Sequence, residues 1–335
     1  MSSGQPLALI LAAGLSTRLG ALSSERPKPL MPVCDQPLLR YAIALLRSHG
    51  ISEIAINLHH LGQLIVDELG DGSALGVSLT YSWEEEVLGT GGGIKRLGAF
   101  LTQDGRESFF VVNGKILIDV DLDQVIRLHR ASDAVATMVI RQTPDAERWG
   151  AIDSEGDRVV GMLGRGRKVT DRAMFTGVHL VGPRLVDTLP NGISDSIRQA
   201  YVPLLEAGAP IAAYHLNGYF HEHSTPRRYL DGNLNALCGI ATLKHAPGPF
   251  VGVDPSARIN DSAQVGARCL VGARAILDAN TKIVDSVIGQ DAVIAPHSQL
   301  ERVVVWPGAH VNGACADSIV TPTQVIQVQV HDKVS

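Results

Sequence analysis

The sequence predicts an α/β domain with a mostly parallel sheet, followed by a small hexapeptide β-helix. Three observations carry that prediction. Up to residue 242, short apolar runs alternate with amphipathic stretches, which is the rhythm of βαβ units. A break at His245-Ala-Pro-Gly-Pro reads as a linker. Beyond it, aliphatic residues recur every six positions, a period that fits neither a helix nor an isolated strand but does fit a β-helix.

Taken in order, residues 7–13 form the first strand and stop at Gly14. Residues 37–49 form a helix with apolar Leu38, Ala42, Leu45 and Leu46 on one face, closed by Gly50. Residues 54–58 and 61–69 give the next strand and helix, and 108–112 a strand ending in Asn113-Gly114. A further helix spans 121–131. In open parallel sheets, ligands sit outside the carboxyl ends of the strands, so the Gly14 turn and Asn113-Gly114-Lys115 are expected at one crevice. In the second part the aliphatic register runs Val253, Ile259, Val265, Val271, Leu277, Ile283. It slips by one and resumes at Ile288, Ile294 and Leu300, then at Val305 and Val311. At roughly three hexads per coil this stretch makes about three to four coils. The expected domains are 1–242 and 250–325.

Bulk properties narrow the function. The chain of 335 residues carries 29 basic and 34 acidic side chains, net −5, which excludes a general nucleic-acid or membrane-surface binder. No apolar run approaches the roughly 20 residues of a membrane-spanning helix. The N-terminus MSSGQP has neither the charged nor the apolar region of a signal peptide. Cys34, Cys238, Cys269 and Cys315 are scattered, with no CxxC pair, and read as reduced thiols. A cytoplasmic protein is expected.

The chemistry concentrates in Leu11 to Val33, LAAGLSTRLGALSSERPKPLMPV. A strand runs into a small polar turn, and Arg18 and Lys28 follow, the lysine between two prolines. A turn rich in backbone N–H groups with fixed cations suits a nucleoside triphosphate. No Gly-Lys-Ser/Thr marks a P-loop, and the third glycine of a dinucleotide fingerprint is missing. The segment closely resembles the signature of the sugar-1-phosphate nucleotidyltransferases, G-x-x-T-R-L…P-K-P-L-x-P. Glu86-Val-Leu-Gly-Thr-Gly-Gly-Gly-Ile resembles the same family's L-G-T-x-G-x segment.

The resemblance covers nearly the whole chain. It implies a Rossmann-like nucleotidyltransferase domain followed by a left-handed β-helix, and transfer of a nucleotidyl group from an NTP to a sugar-1-phosphate. It assigns the nucleotide to Leu11, Ala12, Ala13, Gly14, Ser16, Thr17, Glu86, Gly89, Thr90, Gly91 and Asn113. It assigns the phosphates to Arg18 and Lys28, and the sugar phosphate to Thr176, Gly177 and Lys168. GTP with mannose- or heptose-1-phosphate is the first expectation, UTP or dTTP the second. Guanidinium forks onto phosphate oxygens and ammonium acts as a point charge, which fits those two cations.

The resemblance also implies Mg²⁺, and here the chain departs from the pattern. Where the family reads N-G-D, with the Asp holding the metal, this chain reads Asn113-Gly114-Lys115. Where the family has a second metal-binding Asp in G-Y-W-x-D-x-G-T-P, this chain has Gly218-Tyr-Phe-His-Glu222-His-Ser-Thr-Pro226. Glutamate still ligates a hard cation; an ammonium does not. Glu222 is therefore the metal candidate and Lys115 a catalytic-position cation in place of the other ligand. Three readings follow: a transferase slowed at Lys115, an active transferase in which Lys115 points to solvent and the metal uses Glu222 and the substrate phosphates, and a nucleotide-binding regulator without turnover. His221 and His223 flank Glu222 at i, i+2 and could face one side of an extended segment, but no third zinc ligand and no H-E-x-x-H accompanies them. The β-helix alone suggests a hexapeptide acyltransferase, with His297 and His310 as candidates. It is also the expected homo-oligomer interface, because exposed end coils need covering.

Overall fold

The computed structural model describes residues 6–102, 106–170 and 172–328. Its contacts group the chain into two units, one up to Leu15 and over Ala42–Gly218, the other Ser16–Tyr41 and from Tyr219 onward.

The first unit is built on one large sheet. Its strands are β1 (Ala8–Leu11), β2 (Glu53–Leu58), β3 (Ser78–Trp83), β4 (Phe109–Asn113) and β5 (Ala136–Gln142). They continue as β6 (Ile152–Glu155), β7 (Arg158–Met162), β8 (Arg165–Gly166), β9 (Ala173–Val181) and β10 (Ile211–His215). The order is β8-β7-β10-β5-β9-β4-β1-β2-β3, with β6 beside β7 and β9. β4, β1, β2 and β3 run parallel, as the βαβ rhythm requires. β9 then enters antiparallel to both β4 and β5, and the far edge is a mixed sheet.

The helices follow the sequence signals closely. Helix α1 (Leu38–Ser48) buries Leu38, Leu39, Ala42, Leu45 and Leu46 and ends at Gly50, whose φ of 74° only glycine adopts without cost. Helix α2 is Gly62–Leu69 and α3 is Gly89–Leu101. Helix α4 (Leu122–Ala131) starts where the Asp121 carboxylate accepts the Gln124 N–H at 2.9 Å. The core on one face of β1 and β4 includes Leu7, Leu9, Ile94, Phe109, Val111, Met138 and Ile140.

The second unit holds the solenoid. One face stacks Gly252–Val253, Leu270–Val271 and Val287–Ile288, then the ends of Gln299–Val305 and Ala314–Val320. A second face stacks Arg258–Ile259, Ile276–Leu277, Val293–Ile294 and His310–Val311. The third stacks Gln264–Val265 and Lys282–Val284, then the starts of the same two long strands. Neighbours are parallel, and the two slips in the hexad count are the two places where a turn loses a residue. Val271, Leu277, Ile283, Ile288, Ile294, Leu300, Val305 and Val311 all point into one core. Val325–Gln327 folds back antiparallel on Ala314–Val320 and closes that end.

The same unit contains α5 (Pro226–Leu237), capped by the Thr225 hydroxyl, which accepts the Arg228 N–H at 3.2 Å. It also contains the segment Ser16–Tyr41. The Tyr229 hydroxyl of α5 donates to the Pro32 carbonyl and accepts from Trp306 Nε1 at 3.0 Å. The Cys34 N–H donates to Asn233 Oδ1 at 2.8 Å. All four cysteines are free thiols. No helix among the described residues is long and apolar enough to cross a membrane.

Candidate functional site

The carboxyl ends of the four parallel strands meet at one edge of the first unit. Leu11 ends β1 in register with Asn57 of β2 and Asn113 of β4. The Gly114 N–H reaches back to the Leu11 carbonyl at 3.0 Å, so the expected meeting of the Gly14 turn with Asn113-Gly114-Lys115 is present. Beyond Leu11, Ala12 and Ala13 are buried and Gly14 is exposed. Lys115 is half-buried and closes a tight turn, its N–H donating to the Asn113 carbonyl at 2.8 Å.

A relay of buried polar groups fixes this edge. Asn57 Oδ1 accepts the Ala12 N–H at 2.7 Å, and Asn57 Nδ2 donates to Glu84 Oε1 at 2.8 Å. Glu84 Oε2 accepts the Leu88 N–H at 2.9 Å, at the entry to α3. Asn57 and Glu84 are almost fully buried. The glycine-bearing turn and the start of α3 are therefore tied through two side chains. Sequence reasoning missed both and named Glu86, which is exposed. A lone asparagine in the apolar run Ile54-Ala-Ile-Asn-Leu58 was the available signal; the three glutamates 84–86 are indistinguishable in sequence.

The glycines of α3 have a packing reason. Gly89 has φ of 73°. A Cβ on Gly91 would stand 2.6 Å from Ser194 Oγ, on Gly92 2.3 Å from the Gly192 carbonyl, and on Gly93 2.9 Å from Asn57 Nδ2. The neighbouring Thr90 hydroxyl accepts the Ser196 N–H at 3.0 Å. Residues 192–196 thus lie directly against the helix start, and side chains there would push them away.

On β9, pairing with β5 is irregular between Phe175 and His179. Gly177, at φ of 86°, lies so close to Asn113 that a Cβ would meet its Nδ2 at 2.2 Å. Thr176 is buried and its hydroxyl donates to the Val139 carbonyl at 2.7 Å, so its proton is committed within the sheet. Lys168 is exposed, in the loop after β8.

In the second unit, Ser16 adopts φ of 59° and leads into a single turn at Thr17–Leu19. Arg18 is mostly exposed, and its Nη2 lies 3.9 Å from Glu222 Oε1, a buried carboxylate. Lys28 is buried in the turn Lys28–Leu30. The Arg228 Nε donates to the Glu222 carbonyl at 2.8 Å, holding that segment on α5. The His221 Nε2 is 2.7 Å from the Arg228 carbonyl, and burial lowers its pKa. His223 is fully buried against Tyr229. His297 and His310 are exposed on the solenoid.

The two positions to which the resemblance assigns metal-binding carboxylates do not supply two such ligands. Lys115 supplies an ammonium, which has no lone pair to give, and Glu222 already faces a guanidinium. Elsewhere among the described residues, His49, Asp121 and Asp123 bring three donor atoms within 4.8 Å of one another. Both Asp121 oxygens there accept from Gln124, at 2.9 and 2.8 Å.

Comparison with known proteins agrees with this picture. Residues 7–164 match the nucleotidyl transferase family model. The chain is 30% identical over 312 residues to the mannose-1-phosphate guanylyltransferase catalytic subunit beta of Danio rerio, covering 89% of this chain and 85% of the relative. It is 28% identical over 319 residues to the mannose-1-phosphate guanylyltransferase of Mycobacterium tuberculosis, covering 94% and 84%. The crystal structure of HddC from Yersinia pseudotuberculosis shares the fold, with a TM-score of 0.57 at 23% identity over 68% of this chain and 98% of that one. The signature at Leu11–Val33, the sheet edge it enters and a likeness running over 89% of the chain give one conclusion: the chain belongs to the sugar-1-phosphate nucleotidyltransferases.

Proposed function

We propose that this chain transfers a nucleotidyl group from an NTP to a sugar-1-phosphate, releasing pyrophosphate. GTP with mannose-1-phosphate or a heptose-1-phosphate is the first pair, UTP or dTTP the second choice of nucleotide. The 30% identity to a mannose-1-phosphate guanylyltransferase subunit over 312 residues carries the reading. A phosphate oxygen of the sugar-1-phosphate attacks the α-phosphorus, the new P–O bond forms, and the bond to the bridging oxygen of pyrophosphate breaks. The protein's work is to align two anions and balance the charge that builds on the leaving group.

Backbone from Leu11 to Thr17, with Asn113 and the start of α3 at Gly89 to Gly91, receives the nucleotide in this reading. Arg18 and Lys28 take phosphate oxygens, Lys28 as the buried point charge. Gly177 and Lys168 belong to the sugar-phosphate side. Lys115 adds a single positive charge where a dication would supply two and a coordination template. A metal, if used, would be held mainly by the substrate phosphates, and Glu222 is the protein carboxylate the resemblance would offer it. The reading predicts slow turnover that Lys115→Asp accelerates by about tenfold or more, equivalent to about 1.4 kcal/mol in the barrier. Pyrophosphate release across NTP and sugar-1-phosphate pairs tests it.

Lys115 also favours a second reading, a regulator that binds nucleotide without turnover. It predicts GTP binding that is unchanged by chelating Mg²⁺, with no pyrophosphate formed by either sequence. Division into a transferase domain over 1–242 and a solenoid over 250–325, and a cytoplasmic location, belong to the same proposal. So does a homo-oligomer through the solenoid. Val251 and Val253 of its first coil are 43% and 48% exposed, an apolar end that a second copy would cover. Sedimentation as a monomer at all concentrations would contradict that part.

A further inference from the structure

We propose that the solenoid's closing turn is a positioning element for the two phosphate-binding cations, with Glu25 as its anchor. The inference rests on the transferase reading given above. The segment that carries Arg18 and Lys28 contains a single helical turn, Leu22–Glu25. Glu25 leaves that turn and meets residues almost 300 positions later in the chain. Its Oε1 accepts from the Thr321 hydroxyl at 2.8 Å, from the Thr323 hydroxyl at 2.6 Å and from Gln324 Nε2. Gln324 Nε2 also reaches the Ala21 carbonyl at 3.4 Å. Thr321, Thr323 and Gln324 form the turn between Ala314–Val320 and Val325–Gln327, tightened by the Thr321 N–H donating to the Gln324 carbonyl at 2.9 Å.

Three further contacts grip the same segment. The Arg26 guanidinium lies over the Trp306 ring at 5.7 Å. Tyr229 and Trp306 hold the Pro32 carbonyl through their hydrogen-bonded pair. The Asp35 carboxylate accepts the Gln290 N–H at 3.1 Å. Lys28 is thus bracketed by Glu25 and Arg26 on one side and by Pro32 and Asp35 on the other, every one held by the solenoid or α5. Arg18 lies on the other side of that anchor, four residues before the start of the helical turn that Glu25 ends. An exposed, flexible cation loses entropy each time it engages a phosphate; fixing the backbone beforehand lowers that cost. Glu25 touches no substrate in this scheme. It acts through the backbone that presents the cations.

The test uses the full chain with Glu25→Ala, Glu25→Gln and Thr323→Val. Amide hydrogen exchange over residues 16–31 is read by mass spectrometry, and affinity is measured for GTP and for inorganic tripolyphosphate, which sets the choice of base aside. Glu25→Ala is expected to speed exchange over 16–31 and weaken triphosphate binding about tenfold at an unchanged Tm. Glu25→Gln keeps an acceptor oxygen and is expected to restore both. Thr323→Val removes one donor without removing the carboxylate and is expected to fall between. Exchange or affinity unchanged in both Glu25→Ala and Thr323→Val would overturn the proposal, as would a loss in Glu25→Ala that Glu25→Gln does not restore. A parent chain that binds triphosphate yet releases no pyrophosphate would overturn the transferase reading instead, since neither readout requires turnover.

Discussion

Single side chains fix the carboxyl edge of the parallel strands, and Asn57 is the one on which most depends. It accepts from Ala12 and donates to Glu84 inside the protein. Asn57→Ala leaves a buried N–H and a buried carboxylate oxygen without these partners, each costing about 1–3 kcal/mol. The expected result is a lower midpoint in chemical denaturation at unchanged m-value, together with weaker GTP binding. Gly92→Ala is expected to be worse tolerated than a surface change, because its Cβ would stand 2.3 Å from a backbone carbonyl that no rotamer can move. Overpacking of this kind costs about 1–3 kcal/mol, readable in the same denaturation experiment. Asp35 makes a prediction with a defined sign. Burial raises its pKa to about 6 despite the Gln290 N–H and nearby Arg26, with Asp291 and Asp254 adding to the rise. The folded protein therefore holds that proton more tightly than the unfolded chain, whose Asp titrates near 3.9. Its ionised form costs stability above about pH 6, and the cost fades as pH falls toward the unfolded value. Asp35→Asn, which suits the φ of 61° there, is expected to flatten this part of the stability profile between those two limits. Thermal unfolding across pH checks it. These residues were the least legible in sequence. Asn57 is one polar letter in an apolar strand, and nothing local distinguishes Glu84 from Glu86.

Elements were far easier to read than residues. The helix expected at 37–49 is Leu38–Ser48, that at 61–69 is Gly62–Leu69, and Asp121 is the cap of Leu122–Ala131. Apolar period and capping chemistry are local properties, so a window of the chain contains them. The hexad register was equally direct, since the repeated aliphatics from Val271 to Val311 fill the solenoid core, with Ile259 and Val265 packed against it. Antiparallel β9 was not legible. A strand buried on both faces reads as a continuous apolar run whichever way its neighbours point. The glycines at the start of α3 have a packing role that only the residues at 192–194 reveal. Between coils, Arg268 to Asp285, Arg274 to Asp291 and Arg302 to Asp317 form two-pronged ion pairs at the surface. Exposed pairs contribute little. Raising the salt concentration is expected to leave the solenoid's unfolding transition in place, whereas Leu277→Ala in its core is expected to cost about 2–5 kcal/mol.

At the level of the whole molecule, sequence order and spatial grouping differ. The signature from Gly14 to Pro32 reads as one motif, yet Ser16–Tyr41 groups with the solenoid while Gly14 groups with the sheet. Composition marks a linker near His245 but carries no trace of a pairing such as Glu25 with Thr321, because contacts across that separation leave no local pattern. Family membership was legible from two motifs, and so was the departure at Lys115. The slow turnover proposed for the chain rests on that departure. An ammonium keeps favourable charge for a nucleotide and removes a metal ligand, so the chain is expected to bind nucleotide well and turn over slowly. The most direct measurement is pyrophosphate release from GTP and mannose-1-phosphate, with and without Mg²⁺, by this chain and by Lys115→Asp in parallel. Slow release by the chain, rising about tenfold or more in the Asp variant, is the predicted result. No release by either, across GTP, UTP and dTTP, while GTP still binds, would contradict a transferase and leave a nucleotide-binding regulator.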